Sequence, residues 1–398
     1  MSKLFEIIEK PLVGEWGSDD ETGEGIPVLR TTNFTNNGTI DYSSVVTRII
    51  DIKKAKEKYL NSGDIIIEKS GGSPAQPVGR VVLFEGEDNK FLFNNFTSVL
   101  RLKNKHVNFS KYLFYNLFSS YQRGGTRKFQ NKTTGISNLK LDRFIKETEI
   151  DLPPFETQKH IAKTLDTASE LLAMRKQQLT EQDNLIKSTF HDMFGDPITN
   201  EKRWEKETFR NLSIKFSDGP FGSNLKTSHY EKTGIRVIRL NNIGINKFLN
   251  EDAVYISQKH YEDVLKKHTC FPGDVVIGTM GEPNVRACII PKYIEIAVNK
   301  ADCILCRPNI NKALPEYINA IINLPSFLSL GSNLFHGQTR TRVSMGQLAT
   351  LEIPLPPLNL QNQFANIVTK IEEQKSLVKK AIDETQHLFD SLMSEYFE

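Results

Sequence analysis

Cysteine is scarce in this chain of 398 residues, and its placement offers neither a metal nor a redox site. The four cysteines, Cys270, Cys288, Cys303 and Cys306, all fall in the second half. Cys303 and Cys306 have the C-x-x-C spacing of zinc and thiol–disulfide sites, but zinc needs four ligands and the sequence has no second C-x-x-C. The surrounding ADCILCRP reads as a buried strand in which cysteine acts as a small hydrophobe. Histidine is equally sparse, eight residues with none in an H-x-x-x-H or similar pairing, so no metal site is expected. No apolar run approaches the ~20 residues that span a bilayer. The opening MSKLFEIIEKPLVGEW has no apolar core ahead of a small-residue cleavage site, so the expectation is a cytoplasmic chain with no membrane partner. No glycine-rich loop follows a strand as a nucleotide or methyl-donor site requires.

What remains is an ordinary globular composition, 38% hydrophobic and 25% charged, long enough for two or three domains with real cores. Net charge is only +3, yet it is unevenly spread. Residues 1–148 carry +5, 149–200 carry −4, 201–350 carry +6 and 351–398 carry −4.

That alternation follows an internal repeat. DLPPFETQKHIAKTL begins at Asp151, and PLPPLNLQNQFANIV begins 203 positions later at Pro354. The match needs no gap from Ile150/Ile353 to Phe194/Phe397. Fainter echoes lie upstream: IPVLRTTN (26–33) with IRVIRLNN (235–242), and GDIII (63–67) with GDVVI (273–277). Each half therefore reads as a mixed α/β domain followed by one long helix. Glu156 to Phe194 contains no Gly or Pro, and the following GDP is a stop signal. Leu165, Leu172, Leu179 and Ile186 recur every seven residues; Val368, Ile371, Val378, Ile382 and Phe389 form the matching stripe. Such spacing predicts two helices that pack along a seam, and both being acidic they are expected to pair with each other rather than with phosphate. Lys375 interrupts the second stripe where Leu172 stands in the first. The Pro-Pro pair before each helix predicts a rigid elbow.

Two enzymatic readings fail on the residues. LPPF approaches the Pro-Pro motif of amino-methyltransferases acting on DNA, but Leu152 occupies the place of the Asp, Asn or Ser that would hold the target amino group. GDIIIEK sets Asp64, Glu68 and Lys69 on one strand, residue types that can hold a metal and orient a water in a nuclease, but the second copy has Gly278 and Thr279 in place of Glu68 and Lys69. Asp64 and Asp274 read instead as turn residues after glycine.

The loops of both domains carry chemistry suited to DNA. Arg grips guanine, Asn and Gln grip adenine, and Lys and backbone amides hold phosphates. In the first domain these candidates are Arg30, Thr32 and Asn33; Lys69, Ser70 and Arg80; and Arg123, Arg127, Lys128 and Lys132. In the second they are Ser223, Asn224 and Lys226; Arg239, Asn241 and Asn242; Thr279 and Arg286; and Gln338, Arg340 and Arg342.

The repeated LPPFETQKHIAKTLD and LPPLNLQNQFANIV helix openings, HDMFGDP closing the first helix, and DGPFGSNLK…GIRVIRLNNI in the second domain resemble the specificity (S) subunit of a Type I restriction–modification system, along the whole chain. The resemblance implies an α/β (α+β) fold with a pseudo-two-fold internal repeat. Two mixed α/β target-recognition domains, 1–151 and 196–353, are separated by long helices at 152–195 and 354–398 forming an antiparallel coiled coil. It also implies a non-catalytic chain that reads two different half-sites of double-stranded DNA. Its partners would be two methyltransferase (M) subunits, which hold S-adenosylmethionine, and restriction (R) subunits, which use ATP and Mg; this chain would bind no cofactor itself. The other reading is a coiled-coil interaction or inhibitor protein that does not read DNA.

Overall fold

The structure, a computed structural model, describes residues 1–73, 76–133, 136–281, 283–330 and 343–398, apart from the side chains of 52, 54, 132, 133, 136 and 328. It divides into two compact units, residues 1–175 with 381–398, and residues 176–380. Each unit holds one mixed domain and a part of both long helices, so compactness cuts each helix near its middle rather than at the elbows.

In the first unit an antiparallel sheet runs in the order Leu12–Val13, Thr97–Leu100, Ile65–Glu68, Val81–Leu83. Its central strand is buried at every position, which fits a near-continuous apolar run covered on both faces. A second sheet orders Ser18–Asp19, Val46–Ile49, Ile26–Leu29 and Leu92–Phe93, the last pair parallel. The helix Ser110–Gln122 buries Tyr112, Leu113 and Leu117 in the main core.

The second unit repeats the plan. Ser213–Ser217, Cys303–Pro308, Val275–Gly278 and Arg286–Ile289 form the antiparallel sheet. Val254–Ile256, Ile235–Ile238, Ala297–Asn299 and Thr269–Cys270 form the mixed one, and Pro315–Ile322 is the equivalent helix. In both units a two-stranded clip, Ser2–Lys3 with Glu149–Ile150 and Lys206–Thr208 with Glu352–Pro354, closes the domain just before its long helix.

The long helices are Phe155–Phe194 and Leu358–Phe397, 40 residues each, or about 60 Å at 1.5 Å per residue. Gly195, at φ +79°, ends the first in the left-handed conformation that favours glycine. In the first unit Ile161 and Leu165 share a core with Phe389, Leu392 and Met393. In the second, Ile186, Phe190 and Phe194 share one with Phe364, Val368 and Ile371. The start of each helix thus lies against the end of the other, which makes the pair antiparallel. Of the expected seam, Leu165, Leu172, Ile186 and Ile371 are buried, while Leu179, Val368, Val378, Ile382 and Phe389 are half-buried. Between them the seam is polar. Arg175 donates to the Ala381 carbonyl and the Thr385 hydroxyl, and buried Lys375 donates to Asp183 and Glu372, each at 2.6 Å.

Each elbow is locked by one glutamine. Gln158 accepts from the Phe109 N–H at 2.9 Å and donates to the carbonyls of Val107 and Pro153. Gln361 accepts from the Leu314 N–H at 2.8 Å and donates to Lys312 and Pro356.

Candidate nucleic-acid interface

The Gly-Asp turns come first, because they decide what the acidic residues do. Asp64 accepts the Asn61 N–H, as Asp274 accepts that of Phe271, each at 2.8 Å. The same carboxylates take bidentate bonds from Arg101 (2.8 and 2.6 Å) and Arg307 (2.8 and 2.7 Å). These bonds, led by the contact to each carboxylate, raise both guanidinium pKa values. The paired forks also reach the Tyr59 and Thr269 carbonyls. Asp64 and Asp274 are therefore buried turn residues tied to half-buried arginine forks, and Arg101 and Arg307 are supports that residue type alone does not single out.

The RTTN and RLNN segments are a second duplicated frame. Asn33 and Asn242 are both 0% exposed. Each caps a short turn by accepting the N–H of Arg30 or Arg239. Asn33 donates to the Asp41 carbonyl, and Asn242 to those of Leu249 and Glu251. Arg80 pairs with Glu68 at 2.8 Å and donates to the Thr31 and Phe34 carbonyls. Arg286 donates to those of Leu240 and Ile243. Buried Thr279 donates to the Asp302 carbonyl at 3.1 Å.

These contacts engage five of the candidate residues inside the domains. Asn33, Asn242, Thr279, Arg80 and Arg286 have the types that grip bases, but their donors and acceptors are engaged inside the domain, and they are the framework of the loops. Arg123 is also committed, donating to the Phe397 carbonyl at the end of the second long helix, a favourable place for a cation. Ser70 is bonded to Asn138 at 2.5 Å. Arg30 and Arg239 are half-buried and each donates to one loop carbonyl, of Ser44 and Asp252.

Exposed groups remain. In the first domain they are Thr32, Arg127 and Lys128, with half-buried Lys69, whose pKa burial lowers. In the second they are Ser223, Asn224, Lys226 and Asn241, the last 3.3 Å from Asp252. The side chain of Lys132 and the residues Gln338, Arg340 and Arg342 lie outside the described ones. The four thiols are buried, and burial pushes Cys288, Cys303 and Cys306 up to about 12. They are protonated strand residues. Among the described residues no group of three or more His, Cys, Asp or Glu is placed to hold a metal. Nor is any helix among them long and apolar enough to cross a membrane.

A different kind of surface recurs beside the long helices. In the first unit a cleft of about 350 Å³ is bordered by Leu83, Lys111, Asp166 and Glu170. In the second a cleft of about 430 Å³ is bordered by the equivalent Ile289, Glu316, Thr369 and Glu373. Carboxylates dominate both, as suits a protein partner better than phosphate.

Comparison with known proteins agrees with this duplicated plan. The family described as the Type I restriction modification DNA specificity domain matches residues 2–182 and again 222–386. The Type I restriction enzyme MjaVIII specificity subunit of Methanocaldococcus jannaschii is 22% identical over 393 residues, covering 94% of this chain and 86% of that one. The putative type I restriction enzyme MjaX specificity subunit of the same organism is 22% identical over 414 residues, covering 99% and 91%. In fold, the chain resembles the crystal structure of the Type-I restriction-modification system S subunit from M. genitalium, with TM-score 0.58, 16% identity, and 100% and 95% of the two chains covered. A chain from a structure concerned with complex assembly and conformational transition of the type I R-M system gives TM-score 0.56 at 15% identity, covering 100% and 97%.

Proposed function

The chain belongs to the Type I restriction–modification DNA specificity-domain family as a specificity subunit, and from that premise we propose that it is a non-catalytic reader of a bipartite DNA target. Each domain takes one half-site. Methylation is carried out by M subunits that hold S-adenosylmethionine, and cleavage by R subunits that use ATP and Mg. One observation carries this reading: the Gly-Asp turn with its arginine fork and the Asn-capped turn under an arginine recur in both domains, while the exposed side chains around them differ. A repeated scaffold with divergent tips suits two different half-sites read by one mechanism.

The acidic clefts support the partner assignment. They recur at equivalent positions in the two units, as two copies of one M subunit would need, and their charge disfavours DNA.

The test is reconstitution. The chain with S-adenosylmethionine alone should methylate no DNA, and adding its cognate M subunit should give sequence-specific methylation. Exchanging residues 201–350 for the matching domain of a relative should change one half-site only. Methyl transfer by the chain alone would overturn the reading, and a swap that altered both half-sites would overturn the division of labour. A protein-interaction role without DNA would show no fall of log K with log salt, the slope that phosphate contacts impose.

A further inference from the structure

The two domains treat one equivalent aromatic residue in opposite ways. Gly14-Glu15-Trp16-Gly17-Ser18 and Gly219-Pro220-Phe221-Gly222-Ser223 occupy the same place in the two copies. A Cβ added to Gly14 would fall 2.0 Å from the Asn94 carbonyl oxygen, and one added to Gly219 would fall 2.2 Å from that of Lys300. Asn94 and Lys300 are themselves equivalent, donating their N–H groups to Leu29 and Ile238. Gly17 and Gly222 share a left-handed φ, +65° and +64°. Both turns therefore press onto the domain at the first glycine and reverse at the second, with the aromatic between them.

Trp16 is folded back. It packs on the small core of Val28, Ala55 and Leu92. The Arg48 guanidinium lies 4.2 Å over its ring, and Arg48 Nε donates to the Trp16 carbonyl at 3.0 Å. Exposed Asp19, next along the turn, is paired to the same arginine. Phe221 is 54% exposed, and its neighbours Ser223, Asn224 and Lys226 are exposed as well. An exposed aromatic forgoes the stabilisation that burial would give it, so its presentation requires a fixed loop.

The loop is fixed on both shoulders. His268 Nδ1 is 3.1 Å from the Asp218 carbonyl oxygen, and His260 Nε2 is 2.8 Å from that of Asn224. The His229 ring lies 4.3 Å from that of His260, and its Nδ1 accepts the Lys226 N–H at 3.2 Å. Leu225 is buried among Val237, Ile256 and Leu265. Between these supports the side chains of Phe221, Ser223 and Asn224 are exposed.

We propose that residues 218–229 form a base-reading finger of the second domain, in which Phe221 makes an apolar contact with a thymine methyl group of its half-site. His260 and His268 are positioning residues, and Trp16, closed under Arg48, has no such role. Apolar side chains read the thymine methyl in the major groove, and Ser, Asn and Lys beside the ring supply polar and phosphate contacts. This rests on the proposed function, since it names a residue that reads the second half-site.

The experiment maps the methylated motif in cells carrying the chain with its cognate M subunit, for wild type, Phe221→Ala, Trp16→Phe, His260→Ala and His260→Gln. Phe221→Ala should leave the first half-site intact and relax a T·A pair in the second by about tenfold or more, the usual cost of losing one base contact. Thermal stability should not change, because the ring is exposed. Trp16→Phe should leave the motif as it is. His260→Ala should loosen the same half-site and His260→Gln restore it, because a glutamine amide can still donate to the Asn224 carbonyl. An unaltered second half-site in Phe221→Ala, relaxation at a G·C pair, or a changed first half-site would overturn the assignment. No loosening in His260→Ala would overturn the positioning role. A wild-type chain that directs no methylation with its M subunit would refute the proposed function itself, and this inference with it.

Discussion

Arg286 stands opposite Gly278 in the second domain where Arg80 stands opposite Glu68 in the first. Both guanidiniums clasp the same turn, through Leu240 and Ile243 in one case and Thr31 and Phe34 in the other. Their charge is balanced differently. Arg80 has the Glu68 carboxylate, whereas Arg286 adds the Met280 and Pro283 carbonyls at 2.8 and 3.2 Å. The difference predicts unequal sensitivity. Glu68→Ala strands a mostly buried cation and should cost the first unit about 3 kcal/mol, the lower end for breaking a buried pair. Urea unfolding followed by Trp16 fluorescence, in a Trp204→Phe background, measures it. A loss below about 1 kcal/mol, typical of exposed pairs, would show that carbonyls alone hold Arg80 as they hold Arg286.

The elbow glutamines give a second test. Gln158 is 2% exposed and Gln361 0%, and removing either side chain leaves one N–H and two carbonyls without their partner. At about 1–3 kcal/mol per stranded buried group, discounted for relaxation, Gln158→Ala should cost roughly 2–4 kcal/mol. Gln158→Glu should do no better, because a carboxylate cannot donate to Val107 and Pro153. The amide of Phe109 should then exchange with solvent faster in Gln158→Ala, which has no acceptor for it; protection equal to wild type in that variant would refute the lock.

How much of this was legible in the sequence follows from which signals are local. The long helices declared themselves through an unbroken run without Gly or Pro, a heptad of Leu and Ile, and a gapless match between copies. The Gly-Asp turns were read correctly because the glycine conformation is a one-residue signal. The candidate DNA-contacting residues are less legible. Asn33 and Asn242 cap turns with the same amide that would grip adenine, and residue type does not separate the two uses. Arg80 and Arg286 lie at different distances past their Gly-Asp turns because the intervening loops differ in length, so the register shared with Glu68 and Gly278 emerges only when the strands are paired. Aligning the copies in blocks between loops would also have exposed GEWGS against GPFGS, the signal for Phe221.

Acid should loosen the second unit through His268. Burial, reinforced by Lys267 and Lys215, holds this imidazole below its ordinary value of 6.5. The folded state therefore binds the proton more weakly than the unfolded chain. Stability from this group is present above about pH 6.5 and is lost as pH falls through the lower folded value. The urea midpoint reported by Trp204 should fall as the pH drops below about 6.5, and less steeply in His268→Gln. Identical slopes in the two proteins would exclude the contribution.

Readers and supports should also separate by salt. Lys226 is exposed, and Lys226→Ala should weaken binding to target duplex and reduce the slope of log K against log salt by about 1, with thermal stability unchanged. Asn242→Ala removes a buried cap and two donors, so it should lower stability by about 1–2 kcal/mol while leaving the salt slope unaltered. If Asn242→Ala lowers the slope and Lys226→Ala does not, their roles have been assigned the wrong way round.

The polar centre of the helix pair predicts a trade between stability and register. Lys375 is buried although Leu172 fills the equivalent place in the first helix, and its partner Asp183 is 54% exposed on its side chain. Solvent screens much of that attraction, so the pair contributes little, while the desolvated ammonium carries a cost. Lys375→Leu should therefore raise the thermal midpoint, because apolar replacements of buried ion pairs are neutral or stabilising by about 1–4 kcal/mol. What the lysine supplies is alignment. Asp183 sits at one place on the facing helix, so a shift of a full heptad removes the carboxylate across the seam and leaves the buried ammonium only Glu372 of its own helix, whereas leucine is indifferent to the register. Lys375→Leu should accordingly show mixed oligomers in sedimentation analysis, as misaligned helices pair between chains, and a uniform population together with a raised midpoint would mean that the remaining seam fixes the register by itself. A lowered midpoint would show instead that the contacts to Asp183 and Glu372 outweigh desolvation, and that the polar centre is a source of stability.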